Sequence, residues 1–449
     1  MATTDPDPQP KEVKLDTEEV KVDTETDTQK QTGTQLPDVL VDALDAHAVP
    51  SPVTEEIKLA EPSTTEPSPD QELVSKKIKT DSPPIPPTSL PEVLFKPDWA
   101  PGLSREVIID RIKGCIYGNA LGDAMGLATE FLSRDELKKK YPKPGPIPFS
   151  DIVLDFHRYR WTKGDWTDDT DQMLLIMEGI IESGGNVIPV NFAHKLHNWA
   201  RYGFPELGDQ GGLGIGMTVH RTISHSHFLT EPHTAAREVW EESGKYLAAN
   251  GAVMRTSVLG LVSFNNLESV IHNTLQISLT THADPRCSAS CVSVTTLIAQ
   301  LLTAPLSCTK EELSSLIDKS IQEGAKLIED GDKKKEFITH MSATSLRELN
   351  LDEAKAIGYT LKCAGTGFVG VKSKVKTAKD FIKFMTELVR EGGDADTNGA
   401  VCGAVIGCKI GYDNLPHDWI QKMPHIKWLD DKVDMFLNCI GLVPDTSST

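Results

Sequence analysis

The sequence predicts an all-α protein, in which a single compact helical domain follows a disordered acidic tail. Apolar residues recur at helical spacing through nearly all of the region 99–443. Strict alternation of apolar and polar residues, the pattern of a half-buried strand, is hard to find in the same region. The composition of the first hundred residues predicts that they do not fold.

The tail differs from the rest of the 449-residue chain in its composition. Residues 1–94 contain no Phe, Tyr or Trp, and positions 1–100 hold 15 of the 28 prolines. These positions also hold 21 acidic and 9 basic residues, and so carry −12 of the formal net charge of −19. Such a segment cannot bury enough apolar surface to offset the entropy lost on ordering. We expect a disordered tail over 1–98, a folded domain over 99–443 and a short C-terminal tail over 444–449.

Charge and apolar patterning exclude several classes of protein. The negative charge of the tail argues against binding to nucleic acid or to an anionic membrane, because both are themselves negatively charged. The start MATTDPDPQP lacks the features of a secretory signal, and no apolar run reaches the ~18 residues of a membrane span. We therefore expect a soluble intracellular protein, cytoplasmic or, if the basic run SKKIK (75–79) is an import signal, nuclear. A solvated charge run is the competing interpretation of SKKIK, and the oligomeric state is not predicted.

The helices follow in order from their patterns. The segment 105–126 repeats apolar residues at helical spacing and carries glycines at 114, 118, 122 and 126. Because glycine weakens a helix by about 1 kcal/mol relative to alanine, we expect another backbone to pack closely there. Later helices are predicted by TDQMLLIMEGIIESGG (170–185), NFAHKLHNWARYG (191–203), LESVIHNTLQISLT (267–280), CSASCVSVTTLIAQLLTA (287–304), KEELSSLIDKSIQEGAKLIED (310–330), LDEAKAIGYTLKCAG (351–365) and TAKDFIKFMTELVREGG (377–393).

A further helix, after residue 394, carries Gly399, Gly403 and Gly407 at fourfold spacing. Small residues at this spacing allow close approach, and we expect the partner to be the glycine-rich helix 105–126. The eight cysteines include no CxxC pair. Cys287 and Cys291 lie four residues apart without a second ligand pair nearby, so we expect buried thiols rather than a zinc site.

Two acidic clusters, GDWTDDTDQ (164–172) and EGGDADTNGA (391–400), each precede an apolar helix. They could cap those helices, because Ser, Thr and Asp accept hydrogen bonds from the free N–H groups of a first turn. They could instead converge and require a cation to cancel their repulsion. Oxygen ligands without imidazole or thiolate favour a hard ion such as Mg²⁺, Mn²⁺ or Ca²⁺. The residues alone leave both interpretations open.

Five sequence blocks extend this observation. They are GNALGDAMGLATEF (118–131), GDWTDDTDQM (164–173), NGAVMRTSVLG (250–260), THADPR (281–286) and GGDADTNGAVCGAVIG (392–407). In this order they resemble the ADP-ribosylglycohydrolases, also called the dinitrogenase reductase-activating glycohydrolase-like family. The resemblance extends from about residue 105 to residue 412 and leaves out the acidic tail. Ala395 departs from the threonine of many members, which puts only the support of the neighbouring ligands in doubt.

The resemblance implies an all-helical catalytic domain around two Mg²⁺ ions, with Mn²⁺ as the alternative. It implies hydrolysis of the bond between ADP-ribose and a protein side chain or small acceptor, which would be arginine, serine, a small molecule or a nucleic-acid end. The implied catalytic residues are Asp168, Asp169 and Glu130. The implied metal ligands are Thr167, Asp168, Asp169, Asp394, Asp396 and Thr397.

The substrate contacts that the resemblance implies are Asn250, Gly251, Met254, Arg255 and His282. The glycine-rich stretch 208–218 could cradle phosphates through its N–H groups. Asp123 could have a purely structural role, as an acceptor of backbone hydrogen bonds within the helix bundle. Asp284, which precedes Pro285, could be either a turn-forming residue or a functional acid. Two competing functions stay open: a non-catalytic member, structural as in lens crystallins or ADP-ribose-binding, and a helical scaffold whose acidic tail recruits partners.

Overall fold

The structure, a computed structural model, describes residues 103–442 of the chain. The predicted tails at 1–98 and 444–449 lie outside the described residues, as does the predicted start of the domain at residue 99. Between residues 103 and 442 the chain forms sixteen α-helices and six short 3₁₀ helices, with no strand. Two isolated β-bridges, Leu132 to Gly393 and Ala249 to Tyr359, join loops. The all-α prediction is confirmed.

The α-helices, numbered in chain order, have the following bounds: α1 Arg105–Gly126, α2 Arg134–Lys140, α3 Asp168–Glu182, α4 Pro189–Tyr202, α5 Met217–Ile223, α6 Pro232–Glu242, α7 Leu267–Ser278, α8 Pro285–Thr303, α9 Lys310–Ala325, α10 Gly331–Ser342, α11 Leu346–Leu349, α12 Thr360–Lys372, α13 Ala378–Val389, α14 Ala395–Ile410, α15 His417–Ile420 and α16 Ile426–Cys439. The 3₁₀ helices cover Phe149–Asp151, Arg158–Arg160, Pro205–Leu207, Thr256–Leu261, Ala354–Ala356 and Tyr412–Asn414. Within the described range, none of these helices is long and apolar enough to span a bilayer.

Helices α1 and α14 form the centre of the fold, and their glycines face each other. A methyl group on Gly118 would lie 2.2 Å from the carbonyl oxygen of Gly403, and one on Gly122 would lie 2.0 Å from that of Gly399. The two backbones are therefore in direct contact, as the glycine spacing predicts. Helices α12, α13 and α8 pack around α14, so that every residue from Ala395 to Cys408 is buried.

This central pair fixes where the two acidic clusters lie. The first cluster is at the start of α3, which packs against both α1 and α14. The second cluster is at the start of α14 itself, beside the C-terminal end of α1, because a methyl group on Gly126 would lie 2.3 Å from the Cα of Asp396. Close packing of α1 on α14 thus brings the starts of α3 and α14 together.

One predicted helix is wrong. The segment 351–365 is not helical throughout: it contains the 3₁₀ helix Ala354–Ala356, and α12 begins only at Thr360. Gly358 has a φ of +74°, a left-handed conformation that interrupts a helix. The freed backbone pairs with another loop, since the N–H of Asn250 donates to the carbonyl of Gly358 at 2.9 Å.

Cys287 and Cys291 are fully buried free thiols, as expected.

We predict that Gly118→Ala lowers the free energy of unfolding by about 3 kcal/mol, because the added methyl group meets backbone that cannot move aside. The matched control is Gly179→Ala in α3, where the nearest atom to the added methyl group is 3.9 Å away. It should stabilise the protein by about 0.5 kcal/mol through helix propensity. Urea unfolding of both variants measures the difference, and equal stability of the two would contradict the proposed packing.

Candidate active site and metal centre

The two acidic clusters meet at the starts of α3 and α14. The Thr167 hydroxyl donates to Asp169 Oδ2 at 3.0 Å and lies 3.5 Å from Asp396 Oδ2, which connects the first cluster with the second. Thr167, Asp169 and Asp396 are each at most 3% exposed. Residues far apart in the chain therefore share one buried polar site.

Capping does not account for the acidic residues. Thr167 and Asp394 occupy the N-cap positions of α3 and α14, yet neither side chain accepts a capping hydrogen bond. Asp123 of α1 caps α3 instead: its carboxylate accepts hydrogen bonds from the backbone N–H groups of Thr167 and Thr170, each at 3.0 Å. It also accepts the Thr170 hydroxyl at 2.6 Å. The Asp168 and Asp169 carboxylates are therefore not needed as caps.

Two groups of three carboxylates have the spacing of metal sites. One comprises Asp123, Asp169 and Asp396, the other Glu130, Asp394 and Asp396, and the oxygens of each group lie within 4.8 Å of one another. Asp396 belongs to both groups. The Oδ1 atom of Asp169 is buried and has no hydrogen-bond partner, and every potential ligand is an oxygen. The site therefore fits a hard divalent cation.

Burial and mutual repulsion destabilise the ionised form of the carboxylates. Burial raises the pKa of Asp169 and Asp396 well above the ordinary value, and the charges of neighbouring carboxylates raise both further. The same two causes raise the pKa of Asp168. Burial raises the pKa of Asp123 to about 7, although its bonds from Thr170 and Thr167 act in the opposite direction. Positive charge at this site would relieve the repulsion.

Glu130 lies at one edge of the site and is held by the loop that precedes α3. Its carboxylate bonds Nε2 of His157, and its backbone carbonyl accepts from the Arg158 guanidinium. Arg158 is 2% exposed and also donates to the carbonyl of Leu127 at 2.8 Å. The loop around residue 157 is thus fixed to the backbone that carries Glu130.

Asn250 and the glycine-rich loop form another edge. The Asn250 amide donates to Asp394 Oδ2 at 2.8 Å. Gly214, with a φ of +94°, comes so close to the first cluster that a methyl group on it would lie 2.2 Å from Asp168 Oδ1. Gly214, in the glycine-rich loop 208–216, therefore lies against the Asp168 carboxylate.

Behind this edge, a chain of hydrogen bonds connects Asp168 to His282. Gln172 donates to Asp168 Oδ2 at 2.8 Å, and Arg255 donates to the Gln172 carbonyl oxygen at 2.6 Å. The other end of Arg255 reaches Thr281, whose hydroxyl is 2.7 Å from His282 Nδ1. Nε2 of His282 is buried without a partner, and a methyl group on Gly251 would lie 3.3 Å from it.

Comparison with known proteins identifies the family of the chain. The sequence profile of the ADP-ribosylglycohydrolase family matches residues 104–443. The chain belongs to this family. The predictions of family and of enzyme class are therefore confirmed, and membership supports ADP-ribosyl hydrolase activity.

Two curated relatives align along most of their length. The ADP-ribosylarginine hydrolase Tri1 of Serratia proteamaculans (strain 568) is 28% identical over 349 residues, which cover 75% of this chain and 82% of that protein. The ADP-ribosyl-dinitrogen reductase glycohydrolase of Rhodospirillum rubrum is 22% identical over 346 residues, covering 74% of this chain and 97% of that protein. A solved structure described as an ADP-ribosylglycohydrolase-related protein complex shares the fold, with a TM-score of 0.54 at 21% identity, and covers 75% of this chain and 99% of its own.

The structure brings together the six side chains that the resemblance implies as ligands, since Thr397 bonds Asp169 and Asp394, Thr167 connects Asp169 with Asp396, and Asp168 lies close enough to Asp394 and Glu130 for their charges to raise its pKa. Asn250 lies beside them. Arg255 and Met254 are 0% and 4% exposed and lie beneath the site. Sequence reasoning missed Asp123 as a member of the site, together with Gln172 and His157, whereas Gly214 lies in the glycine-rich stretch 208–218 that the sequence had indicated. Asp123 had a signal: it lies in the block 118–131, whose glycines predict close contact with the second cluster.

We predict that His282→Gln weakens the dependence of stability on pH in acid. Burial, and then the nearby charge of Arg255, lower the pKa of His282 from 6.5 to about 3. The folded state therefore binds this proton less well than the unfolded state. The resulting stability is complete above pH 6.5 and is lost as the pH falls below that value. Between pH 7 and pH 5 the wild type should lose about 2 kcal/mol more than the variant in urea unfolding. Equal losses would place His282 in contact with water.

Proposed function

We propose that this chain hydrolyses the glycosidic bond between ADP-ribose and a protein side chain, with two hard divalent cations held by its acidic clusters. The observation that carries the proposal is the pair of three-carboxylate groups that share Asp396. A shared carboxylate suits two adjacent ions better than one. Membership of the ADP-ribosylglycohydrolase family supports the substrate.

The proposed ligands are those that the resemblance implies, with Asp123 added. They are Asp123, Thr167, Asp168, Asp169, Asp394, Asp396 and Thr397. When bound, Mg²⁺ or Mn²⁺ would orient the hydroxyls of the distal ribose and lower the pKa of an attacking water. The proposed catalytic domain comprises residues 99–443. We propose an intracellular location, in the cytoplasm or the nucleus. We expect the protein to bind neither membranes nor nucleic acid.

Asp168 is the best candidate to accept the proton of the attacking water. Asp169 belongs to one three-carboxylate group and Glu130 to the other, whereas Asp168 belongs to neither and is therefore, among the proposed ligands, the one that is freest to accept a proton. Gln172 holds Oδ2 of Asp168 at 2.8 Å, which fixes the orientation of the carboxylate. A positioned carboxylate of this kind typically contributes 10²- to 10⁴-fold to a rate.

The edge formed by Asn250, Gly251 and the loop 208–216 is the proposed site of the diphosphate. Amide N–H groups and exposed backbone N–H groups are the donors that bind phosphate oxygens. The buried Nε2 of His282, which has no partner in the protein, adds a polar atom beside Gly251. Arg255 and Met254 would act by positioning this edge from below, since both are buried.

Arginine is the first acceptor to assay, because the relative in Serratia proteamaculans is named an ADP-ribosylarginine hydrolase. Serine is the second. The test measures ADP-ribose released from arginine-modified and serine-modified peptides with Mg²⁺, with Mn²⁺ and with EDTA. We expect the wild type to release ADP-ribose from one peptide with either metal, and EDTA to abolish release.

The variant Asp168→Asn, Asp394→Asn should release ADP-ribose at least about 10³-fold more slowly, because it lacks two proposed ligands, one of which, Asp168, is also the proposed base. The matched control is Asp171→Asn in the same acidic stretch. The Asp171 carboxylate accepts the indole N–H groups of Trp166 and Trp199 at 2.8 and 3.1 Å, which makes it a structural residue. We expect the control to keep the wild-type rate and to unfold at a lower temperature.

Full activity in EDTA would refute the metal dependence. A folded wild type that releases no ADP-ribose from either peptide would favour a different acceptor or a non-catalytic role. Loss of activity in Asp171→Asn, with its folding intact, would mean that the acidic stretch acts as a whole and that the division of roles is wrong.

A further inference from the structure

We propose that Val153, Leu154, Phe156 and Tyr159, here called the apolar rim, bind the polypeptide around the modified side chain of the substrate. The inference rests on the function proposed above and concerns the acceptor half of the substrate.

The rim is an exposed apolar surface. Phe156 is 77% exposed, Tyr159 60%, Leu154 51% and Val153 44%. The rings of Phe156 and Tyr159 have centroids 6.0 Å apart, so they form one aromatic face. Four large apolar side chains within seven residues are more than a solvated loop needs, and exposed apolar patches of this kind mark binding sites.

The rim is held rigidly rather than carried on a loose loop. Arg158, between Phe156 and Tyr159, is buried and donates to the carbonyls of Leu127 and Ala128 at 2.8 and 3.0 Å. It also pairs with Asp155 at 2.6 Å. Since the anchors belong to the backbone just before Glu130, the rim keeps a fixed position relative to the site. Aromatic side chains have few rotatable bonds, and on an anchored backbone they lose little entropy when they bind a partner.

The rim continues from the candidate active site. His157, within the rim segment, bonds the Glu130 carboxylate, and its ring lies 5.2 Å from that of Phe131. Glu130 belongs to the second three-carboxylate group. The other edge of the site, at Asn250 and Gly214, has the polar donors that suit a diphosphate. The edge at Glu130 is thus left for the acceptor side of the scissile bond.

The charges around the rim favour polypeptide over nucleic acid. Lys140 pairs with Asp155, and Lys163 donates to the carbonyl of Ser150 at 2.9 Å. The Arg160 guanidinium lies 4.6 Å from the ring centroid of Trp161. Each of these cations already has a partner within the protein, whereas binding to nucleic acid depends on cations that contact phosphates. What the rim presents is apolar, as are the side chains that flank a modified residue in a peptide.

The test compares two substrates that share ADP-ribose and the acceptor group: an arginine-modified peptide of about twelve residues and free ADP-ribosylarginine. We expect the wild type to have a KM for the peptide about tenfold lower than for the small conjugate. Phe156→Ala, Tyr159→Ala should raise the KM for the peptide about tenfold, leave kcat unchanged and leave both constants for the small conjugate unchanged. Leu306→Ala, which removes an apolar side chain 71% exposed in the turn after α8, is the control and should match the wild type.

The outcomes separate this inference from the proposed function. If the wild type hydrolyses neither substrate, nor their serine counterparts, the proposed function fails and the inference fails with it. If it hydrolyses both conjugates but the double variant keeps the wild-type KM for the peptide, only the inference is overturned. An ADP-ribosylated oligonucleotide that shows the tenfold advantage, lost in the double variant, would assign the rim to nucleic acid and overturn it as well.

Discussion

The direct backbone contact between α1 and α14 is the constraint on which the rest of the structure depends. Glycine is required there because any side chain would meet a carbonyl oxygen at about 2 Å. The short distance between α1 and α14 determines the geometry of the site as well as the packing of the core. It brings Asp123 and Glu130, near the end of α1, next to Asp394 and Asp396 at the start of α14. Wider separation of the two helices would divide the carboxylates into two halves that could not share an ion.

The acidic residues of the site differ in their roles, and some of them make structural hydrogen bonds. Asp123 satisfies the first turn of α3 from another helix, and Asp171 binds two indole N–H groups. Asp168 and Asp169 are not used as helix caps: each accepts a side-chain hydrogen bond, from Gln172 and Thr167 respectively, while burial and the charges of neighbouring carboxylates raise their pKa values. Oδ1 of Asp169 has no hydrogen-bond partner in the protein, and a buried oxygen of this kind is costly unless something binds to it.

Much of this arrangement could be predicted from the sequence, and the reasons are local. The i, i+4 glycines of 114–126 and 399–407 predict a close helix pair. Paired clusters of Asp and Thr without His or Cys are compatible with oxygen ligands for a hard ion, but the residues alone are equally compatible with helix capping. The break at Gly358 is not evident from local periodicity, because the backbone hydrogen bond made there comes from Asn250, more than a hundred residues earlier in the chain. His157 and Gly214 belong to loops without periodicity, and only the fold places them beside Glu130 and Asp168.

The most direct test of the central claim is a titration with Mn²⁺, followed by the EPR signal of the free ion, of the wild type, Asp169→Asn and Asp396→Asn. These two substitutions lie in different clusters. If the clusters form one shared centre, the wild type binds two ions per chain, and Asp396→Asn, which removes the shared carboxylate, loses both. Asp169→Asn should also lose at least one ion. If Asp169→Asn and Asp396→Asn both bind Mn²⁺ as tightly and in the same number as the wild type, the two clusters do not form a metal centre.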